Sequence, residues 1–494
     1  MFGLVASALV IGGASANAET TERVKLETVQ LPYHLPDRPA GAMGGSKMFL
    51  NLCPGGCIVR PGMDDATTDT SSIVQQQKSL SEYTGWQPGE WAQVLKCVQE
   101  VYSPFLVTVV DQRPAAGEIY EEIMIGGSPQ EIGRDPGSGG VASVAPGCVA
   151  NPKGVAFAFT SAINVFASEA GGSRVNGMCW IIAQETAHNF GIGGHSWEFI
   201  ENSQSACNDP MTYRSDCGGQ KFFRNKVAKM GDFAPCGMPD GNSNNPCICA
   251  GQHNSHQKLT EVFGAGTSII PPPTAAVTFP TPSSTLGATV TGTAGSKRGV
   301  DHVEMYLNGW KWQTKPGAAF GAQGQVNPSP YSFNVPGDLP NSTYDVVLKA
   351  YDDLGAMTAS STVTVNKGGP CASADTCAKG QKCENGRCFW DQPVGNIGDA
   401  CTYAQYCKSL NCQGTADKQI CTQECIIGTS DSCPADSGLE CVDTGGGKGI
   451  CFFPADSGGC CSVGNGGNAW IPAVLGALGF GVIVMRPRRR KQRA

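Results

Sequence analysis

Along residues 91–105, WAQVLKCVQEVYSPF, apolar side chains recur at Trp91, Val94, Leu95, Val98 and Val101. That i, i+3, i+4, i+7 spacing is one face of a helix, and the Ser103-Pro104 pair ends it. On either side the pattern shortens to apolar, β-branched runs bounded by turn residues. MFLNL (48–52), LVTVVDQRP (106–114), IYEEIMIGG (119–127) and VAFAFTSA (155–162) are predicted strands. A second helix is predicted over residues 176–190. The order is therefore strand, helix, strand, strand, strand, helix.

A proline-rich linker, 268–282, separates this region from a stretch that alternates with period two. ATVTGTA, HVEMYLNGW, YDVVLKAYD and STVTVN, divided by Gly, Pro and Asn turns, predict an all-β sandwich over 283–368. VEMYLNG and YDVVLKAYDDLG resemble segments of bacterial Ig-like domains. No cysteine lies between Cys249 and Cys371, so this sandwich must be held by its apolar core alone. Residues 369–455 then hold three runs of four cysteines, starting at Cys371, Cys401 and Cys425. Each run is too short for a core of its own and predicts a unit stapled by two disulfides, with three pairings open per unit. C-x2-C knuckles are absent, which disfavours zinc ribbons. The expected role is a stalk or adhesive spacer.

Composition places the chain in an oxidising compartment, because 24 cysteines would be hazardous among cytoplasmic reductants. Residues 1–18 are apolar and end in Ala16-Asn17-Ala18, a secretory cleavage pattern, although a positive n-region is missing. Residues 19–46 read as a linker or short pro-segment, and having no cysteine they cannot cap a metal with a thiol. The net charge of −7 includes a basic end, 486–494, so the body is more acidic still and nucleic acid is not an expected partner. Trp470–Met485 is an apolar run that the following arginines orient as a transmembrane helix with a cytoplasmic tail. With the Gly/Ser/Cys stretch 456–469, this end resembles the MYXO-CTERM sorting signal. That resemblance implies processing near Cys460 or Cys461 and an exported, cell-surface or extracellular protein.

The chemistry concentrates in WIIAQETAHNFGIGGH, residues 180–195. Positions 184 and 188 lie one helical turn apart, a spacing that aims two side chains at one ion while a neighbouring glutamate takes a proton from bound water. Gly191 falls where the helix must break for the chain to return with another ligand. DPMTY follows at 209–213. Together these resemble the metzincin zinc proteases, over about residues 47–267. The resemblance implies Glu185 as general base, His188 and His195 as zinc ligands, Met211 as the Met-turn residue beneath the metal, and Tyr213 as an extra ligand or oxyanion donor. The fold class it implies is multi-domain: an α+β metzincin-like (zincin) domain, the Ig-like sandwich, small disulfide-rich modules and the C-terminal transmembrane or sorting helix.

Two departures leave the chemistry open. Gln184 stands where the family has its first zinc histidine, and an amide oxygen is a poorer donor than imidazole. His195 comes one residue late, after Gly193-Gly194, which could form a bulge that restores its reach. Three arrangements compete: zinc on His188, His195 and Tyr213 with Gln184 nearby; Glu185 itself as a ligand; or no metal. The function is accordingly read as a zinc-dependent endopeptidase acting on extracellular protein or peptide. The rival reading is an inactive surface adhesin or binding protein on the same scaffold. Cys179, Cys236, Cys247 and Cys249 are expected in disulfides, and His253 and His256 at the surface. His302 is expected on an exposed strand position, and Trp310 and Trp312 in packing more than in glycan stacking. GSGG (137–140) has only a faint similarity to a serine-protease nucleophile loop, with no His-containing motif to support it.

Overall fold

Two faces of one sheet account for the alternation in the N-terminal half. In the computed structural model, which describes residues 25–453 apart from 197–208, 214–218, 232–234, 238–245, 318–327, 391, 415–417, 428–432, 435–436 and 446–447, that half is built on six strands. They are β1 (Lys25–Gln30), β2 (Ser46–Asn51), β6 (Val107–Val110), β7 (Tyr120–Gly126), β8 (Ser138–Val144) and β9 (Val155–Phe159). Small pieces intervene: β3 (Cys57–Pro61), β4 (Thr70–Ser71) and β5 (Lys78–Leu80). The sheet order is β1-β8-β9-β7-β2-β6. All pairings are parallel except that of β8 with β9.

Met48 and Leu50, Ile123 and Ile125, and Ala156 and Ala158 point to one face. There they meet helices α1 (Glu90–Tyr102), α2 (Ile163–Glu169) and α3 (Arg174–Asn189). The intervening Phe49, Met124, Val155, Phe157 and Phe159 build a second core on the other face, with Val59 and Leu80. Strands covered on both faces read as continuous apolar runs, as β7 and β9 do. The alanines of β9 are on the α3 side, where a small side chain lets a helix lie close. A disulfide, Cys97–Cys179, ties α1 to α3 across a sequence separation of 82 residues. In the chain-entropy view such a link is worth ~4–5 kcal/mol.

Most predicted elements are present within a few residues of their expected ends. Others, α2 among them, were not foreseen. Residues 25–30, read as linker or pro-segment, form strand β1. Residues 138–144, which take in all of the GSGG stretch but Gly137, form the buried strand β8, so the nucleophile-loop reading is withdrawn. The signal segment 1–18, the processing site at Cys460 and Cys461 and the predicted helix Trp470–Met485 lie outside the described residues. Among the described residues no helix is long and apolar enough to cross a membrane.

After β10 (Ala228–Lys229), β11 (Gln252–His253) and α4 (Ser255–Phe263), a β-sandwich begins. One sheet holds β12 (Thr274–Phe279), β13 (Thr289–Gly295) and β16 (Ser329–Asn334). The other holds β14 (His302–Leu307), β15 (Trp310–Pro316), β17 (Ser342–Tyr351), β18 (Met357–Ala359) and β19 (Val363–Lys367). β17 alternates strictly between buried and half-buried positions, the pattern expected when one face of a strand meets a core. His302 is half-buried rather than exposed, paired with Asp301 at 2.7 Å and stacked on Tyr351. Trp312 packs against Trp390 and Tyr403, which joins the sandwich to the first two cysteine-rich units and bears out the packing reading.

In each of the three cysteine-rich units the first cysteine pairs with the third and the second with the fourth. The pairs are Cys371–Cys383 and Cys377–Cys388, Cys401–Cys412 and Cys407–Cys421, then Cys425–Cys441 and Cys433–Cys451. Interleaved pairs tie together the short strands of each unit, and a small apolar cluster around Ile420, Leu439 and Cys451 joins the second unit to the third.

The sandwich is bonded to the helix-bearing half through buried charge. Arg224, before β10, and Arg298, before β14, share the carboxylate of Asp353, and all three side chains are essentially inaccessible. The Asn225 N–H donates to the same carboxylate at 2.8 Å. Around this centre lie the Lys226–Asp301 and Lys297–Glu100 ion pairs. Asp353 is held well below the ordinary carboxylate range; burial opposes this, and the two guanidiniums override it.

Removing one partner of such a cluster leaves buried charge uncompensated, so D353A should cost ~3–5 kcal/mol, read by urea unfolding of the full chain. His256 sits beside the same cluster, its ring 5.0 Å from that of Phe105. Burial, then Arg298 and Arg224, push its pKa down from 6.5 to about 4. The unfolded chain therefore binds the extra proton first. Stability should fall as pH drops from about 6.5 toward 4 and gain nothing from this group above that window. H256Q should flatten that part of the stability–pH curve.

Candidate metal centre

Helix α3 is buried from Gly177 to Asn189, all but its first turn, so its polar side chains there have only protein to face. Ser173 caps its start, accepting from the Asn176 N–H at 3.1 Å. Its end is a two-bond turn: Gly191 N–H donates to His188 O at 2.9 Å and Ile192 N–H to Ala187 O at 3.1 Å. Gly191 has φ 86°, and a Cβ there would lie 2.3 Å from Cys148 O, so glycine is required twice over. The turn brings Ile192 O to 2.7 Å from His188 Nδ1. A carbonyl can only accept, so Nδ1 carries the hydrogen and Nε2 is left with its lone pair in the neutral ring.

His188 Nε2 lies 3.3 Å from His195 Nε2. Two nitrogens bound to one tetrahedral zinc at ~2.0–2.1 Å are separated by about 3.3 Å, so the pair fits a shared ion. His195 is positioned from both sides: Ser196 N–H donates to Met211 O at 2.6 Å, and Gly231 N–H to His195 O at 2.9 Å. The Gly193-Gly194 pair serves by its lack of side chains, not by a left-handed bulge. A Cβ on Gly193 would meet Cys249 Sγ, and one on Gly194 would lie 2.9 Å from Met230 Cε.

Met211 is buried in the core under this region. Its turn is fixed by Asp209, which accepts from Met211 N–H at 2.8 Å and, on its other oxygen, from Arg224 N–H at 2.8 Å and the Ser255 hydroxyl. The Tyr213 ring stacks at a tilt on His195, centroids 4.5 Å apart.

Gln184 is fully buried, and its oxygen accepts from the Trp180 indole N–H at 2.9 Å. An indole N–H can only donate, which fixes the amide's orientation. The same N–H reaches Pro210 O, so Gln184 helps join α3 to the methionine turn. Its remaining polar atom, Nε2, has no partner and bears only hydrogens. As held, Gln184 is a poor ligand. Glu185 is fully buried with neither carboxylate oxygen bonded. The β8 backbone passes directly over it, since a Cβ on Gly140 would come within 2.6 Å of its Oε1. Burial, and secondarily the charge of Glu27, raise its pKa well above the ordinary range.

His253 is the residue that the sequence reading missed. It is half-buried, not at the surface, and its Nε2 is 2.9 Å from the Ser196 hydroxyl. Burial and His195 push its pKa down to about 4. Nothing in GQHNSHQ signals this, because the contact depends on the β10–β11 pairing far along the chain. The cysteines near the site are in disulfides as expected, Cys236 with Cys247 and Cys148 with Cys249. Among the described residues, trios of His, Cys, Asp or Glu with ligand atoms within 4.8 Å occur only in the cysteine-rich units, as in Cys371, Cys377 and Cys388. Those cysteines could present a metal site by proximity, but all are disulfide-bonded here. The centre on α3 thus offers two converging imidazoles and a nearby acid.

A cavity of about 310 Å³ opens beside it, lined by Leu26, Glu27, His195, Tyr213, Met230 and Ile248 among others. One wall is β1. Leu26 is gripped by the Tyr213 hydroxyl, which accepts from its N–H at 3.0 Å and donates to its carbonyl at 2.8 Å.

No known family model matches the chain, and no curated protein matches it. Among solved structures, the Clostridium thermocellum CbhA fibronectin(III)-like modules align at 19% identity with a TM-score of 0.16, over 21% of this chain and 50% of that one. The chain thus spans half the length of that neighbour. Wild-type OgpA from Akkermansia muciniphila aligns at 12% identity with a TM-score of 0.17, over 68% of this chain and 95% of that one. Likeness at this level carries no argument, and the functional reading rests on the site itself.

Proposed function

We propose that this chain is a zinc-dependent endopeptidase of metzincin type, exported and acting on extracellular protein or peptide. The observation that supports it most is the 3.3 Å approach of His188 Nε2 to His195 Nε2, with Glu185 one helical turn away. The many disulfides accord with export. In this reading His188 and His195 would hold the ion, and Tyr213, stacked on His195, and the buried Met211 would complete its surroundings. A bound zinc would supply a Lewis acid that brings the pKa of its water down to about 7. Glu185 would be the group that takes up a water proton on a carboxylate oxygen and passes it to the amine nitrogen as the peptide C–N bond breaks. The sheet and α3 exclude bulk solvent from this exchange, which strengthens every charge interaction within it.

The second reading, a binding protein or adhesin without catalysis, is favoured by one feature. The oxygen of Gln184 is spent on Trp180, so the third ligand of the usual set is not supplied from α3.

Zinc content separates the two. The full exported chain should be used, because Arg224 and Asp353 bind its halves together. About one zinc per chain, lost in H188A and accompanied by chelator-sensitive cleavage of an unfolded protein, is the expected result. Q184H should tighten zinc at least ~10-fold, since even changes beside a ligand are worth ~10–100-fold. A folded chain that takes up no zinc from excess metal would leave the binding reading.

A further inference from the structure

We infer that the chain carries a saccharide-binding site in a cavity of about 730 Å³ at the carboxyl ends of β2 and β6. These strands lie at the opposite end of the sheet from β1 and β8, so the cavity is separate from the candidate centre. Neither the ion nor Glu185 takes part, and the site stands whichever reading of the centre holds.

The walls of the cavity are held in place by the protein itself. Trp91 is half-buried, and its indole N–H donates to Asp111 at 3.1 Å. Its ring meets Trp86 with centroids 5.5 Å apart, and Trp86 in turn meets Tyr83 at 5.1 Å. Another wall is the CPGGC turn, closed by the Cys53–Cys57 disulfide. Asn51 accepts from Cys53 N–H at 2.9 Å, and Glu82 accepts from Gly55 N–H at 2.8 Å. Arg113 lies over the Phe49 ring, 5.1 Å from its centroid. It donates to Asp69 at 2.9 Å, to the Tyr120 hydroxyl at 3.0 Å and to Glu122 at 3.1 Å. Groups ordered beforehand in this way lose little freedom when a ligand binds.

The lining selects the chemistry of that ligand. Three carboxylates, Asp69, Glu82 and Asp111, face two guanidiniums, Arg60 and Arg113, so the attraction for an ion of either sign largely cancels. Glu82 and Asp111 each spend one carboxylate oxygen on the bonds above and keep the other as an acceptor. Arg60 and Gln112 bring donors to the same cavity. A neutral ligand whose groups both donate and accept satisfies such a mixture, and hydroxyls do both. The Phe49 and Trp91 rings, with Leu52 and Ile58, call for an apolar face on the same molecule. A pyranose ring meets both demands, with hydroxyls around its edge and C–H groups on its faces. The 111–113 loop also borders a second cavity, of about 390 Å³, beside Lys47, Gln99 and Glu118. The two together suit an oligosaccharide better than a single sugar.

The test uses the full exported chain with three neutral hexasaccharides as probes: cellohexaose, maltohexaose and chitohexaose. Binding is read by tryptophan fluorescence and by saturation-transfer NMR of the sugar protons, with and without a chelator. At least one probe should bind saturably and equally well in both conditions. W91A should weaken that binding at least about tenfold. Trp91 also packs on the core, so the double variant R60A/E82A, which alters only exposed side chains, is measured beside it. It should weaken binding by a similar factor with an unchanged urea midpoint. Binding that neither variant weakens overturns the proposal by placing the sugar elsewhere on the chain. Failure of all three probes to bind overturns it outright. Hexalysine bound in preference to every saccharide also overturns it, making the cavity a cation site.

Discussion

The centre depends on a turn. Gly191 ends α3 in the left-handed region, with the Cys148 carbonyl too close to admit any Cβ. The bonds that close the turn deliver the Ile192 carbonyl to His188 Nδ1, which settles the tautomer and points Nε2 at His195. A side chain at 191 would lose the backbone conformation and the ring orientation together. The geometry of the two imidazoles is therefore a consequence of how a helix stops.

The region around this turn is unusually closed. α3 is buried between the sheet and the methionine turn, and its polar residues are satisfied by specific neighbours where they are satisfied at all. Asn189 donates to Glu121, a buried carboxyl near the start of β7 that desolvation pushes well above its ordinary range. On the other face of the same strand Glu122 meets Asn51 and Arg113. Two adjacent glutamates thus point into two different cores, and each is tolerated because amide or guanidinium donors reach it. Such groups fix one arrangement of strands and helix at some cost in stability.

The buried Arg224–Arg298–Asp353 cluster gives the sandwich a role beyond that of a spacer. Arg224 belongs to the stretch that pins Asp209, and Asp209 in turn sets the methionine turn. The sandwich is coupled in this way to the floor of the candidate centre. Farther along, the tryptophans of β15 pass the contact on to the first disulfide-rich unit.

Periodicity alone determined the amphipathic α1, most of the central strands, the sandwich and the three stapled units, because each follows from local spacing against a nearby core. The approach of α3's His188 to His195 was legible too, through a spaced motif. The sequence could not tell that β1 exists, since KLETVQ has little apolar character and is a strand only where β8 and Tyr213 receive it. The surroundings of His253, the engagement of Gln184 by Trp180 and the choice of cysteine partners were likewise decided by tertiary structure. Each is a contact between segments whose separation along the chain carries no local signature, and only the folded backbone brings their donors and acceptors within reach.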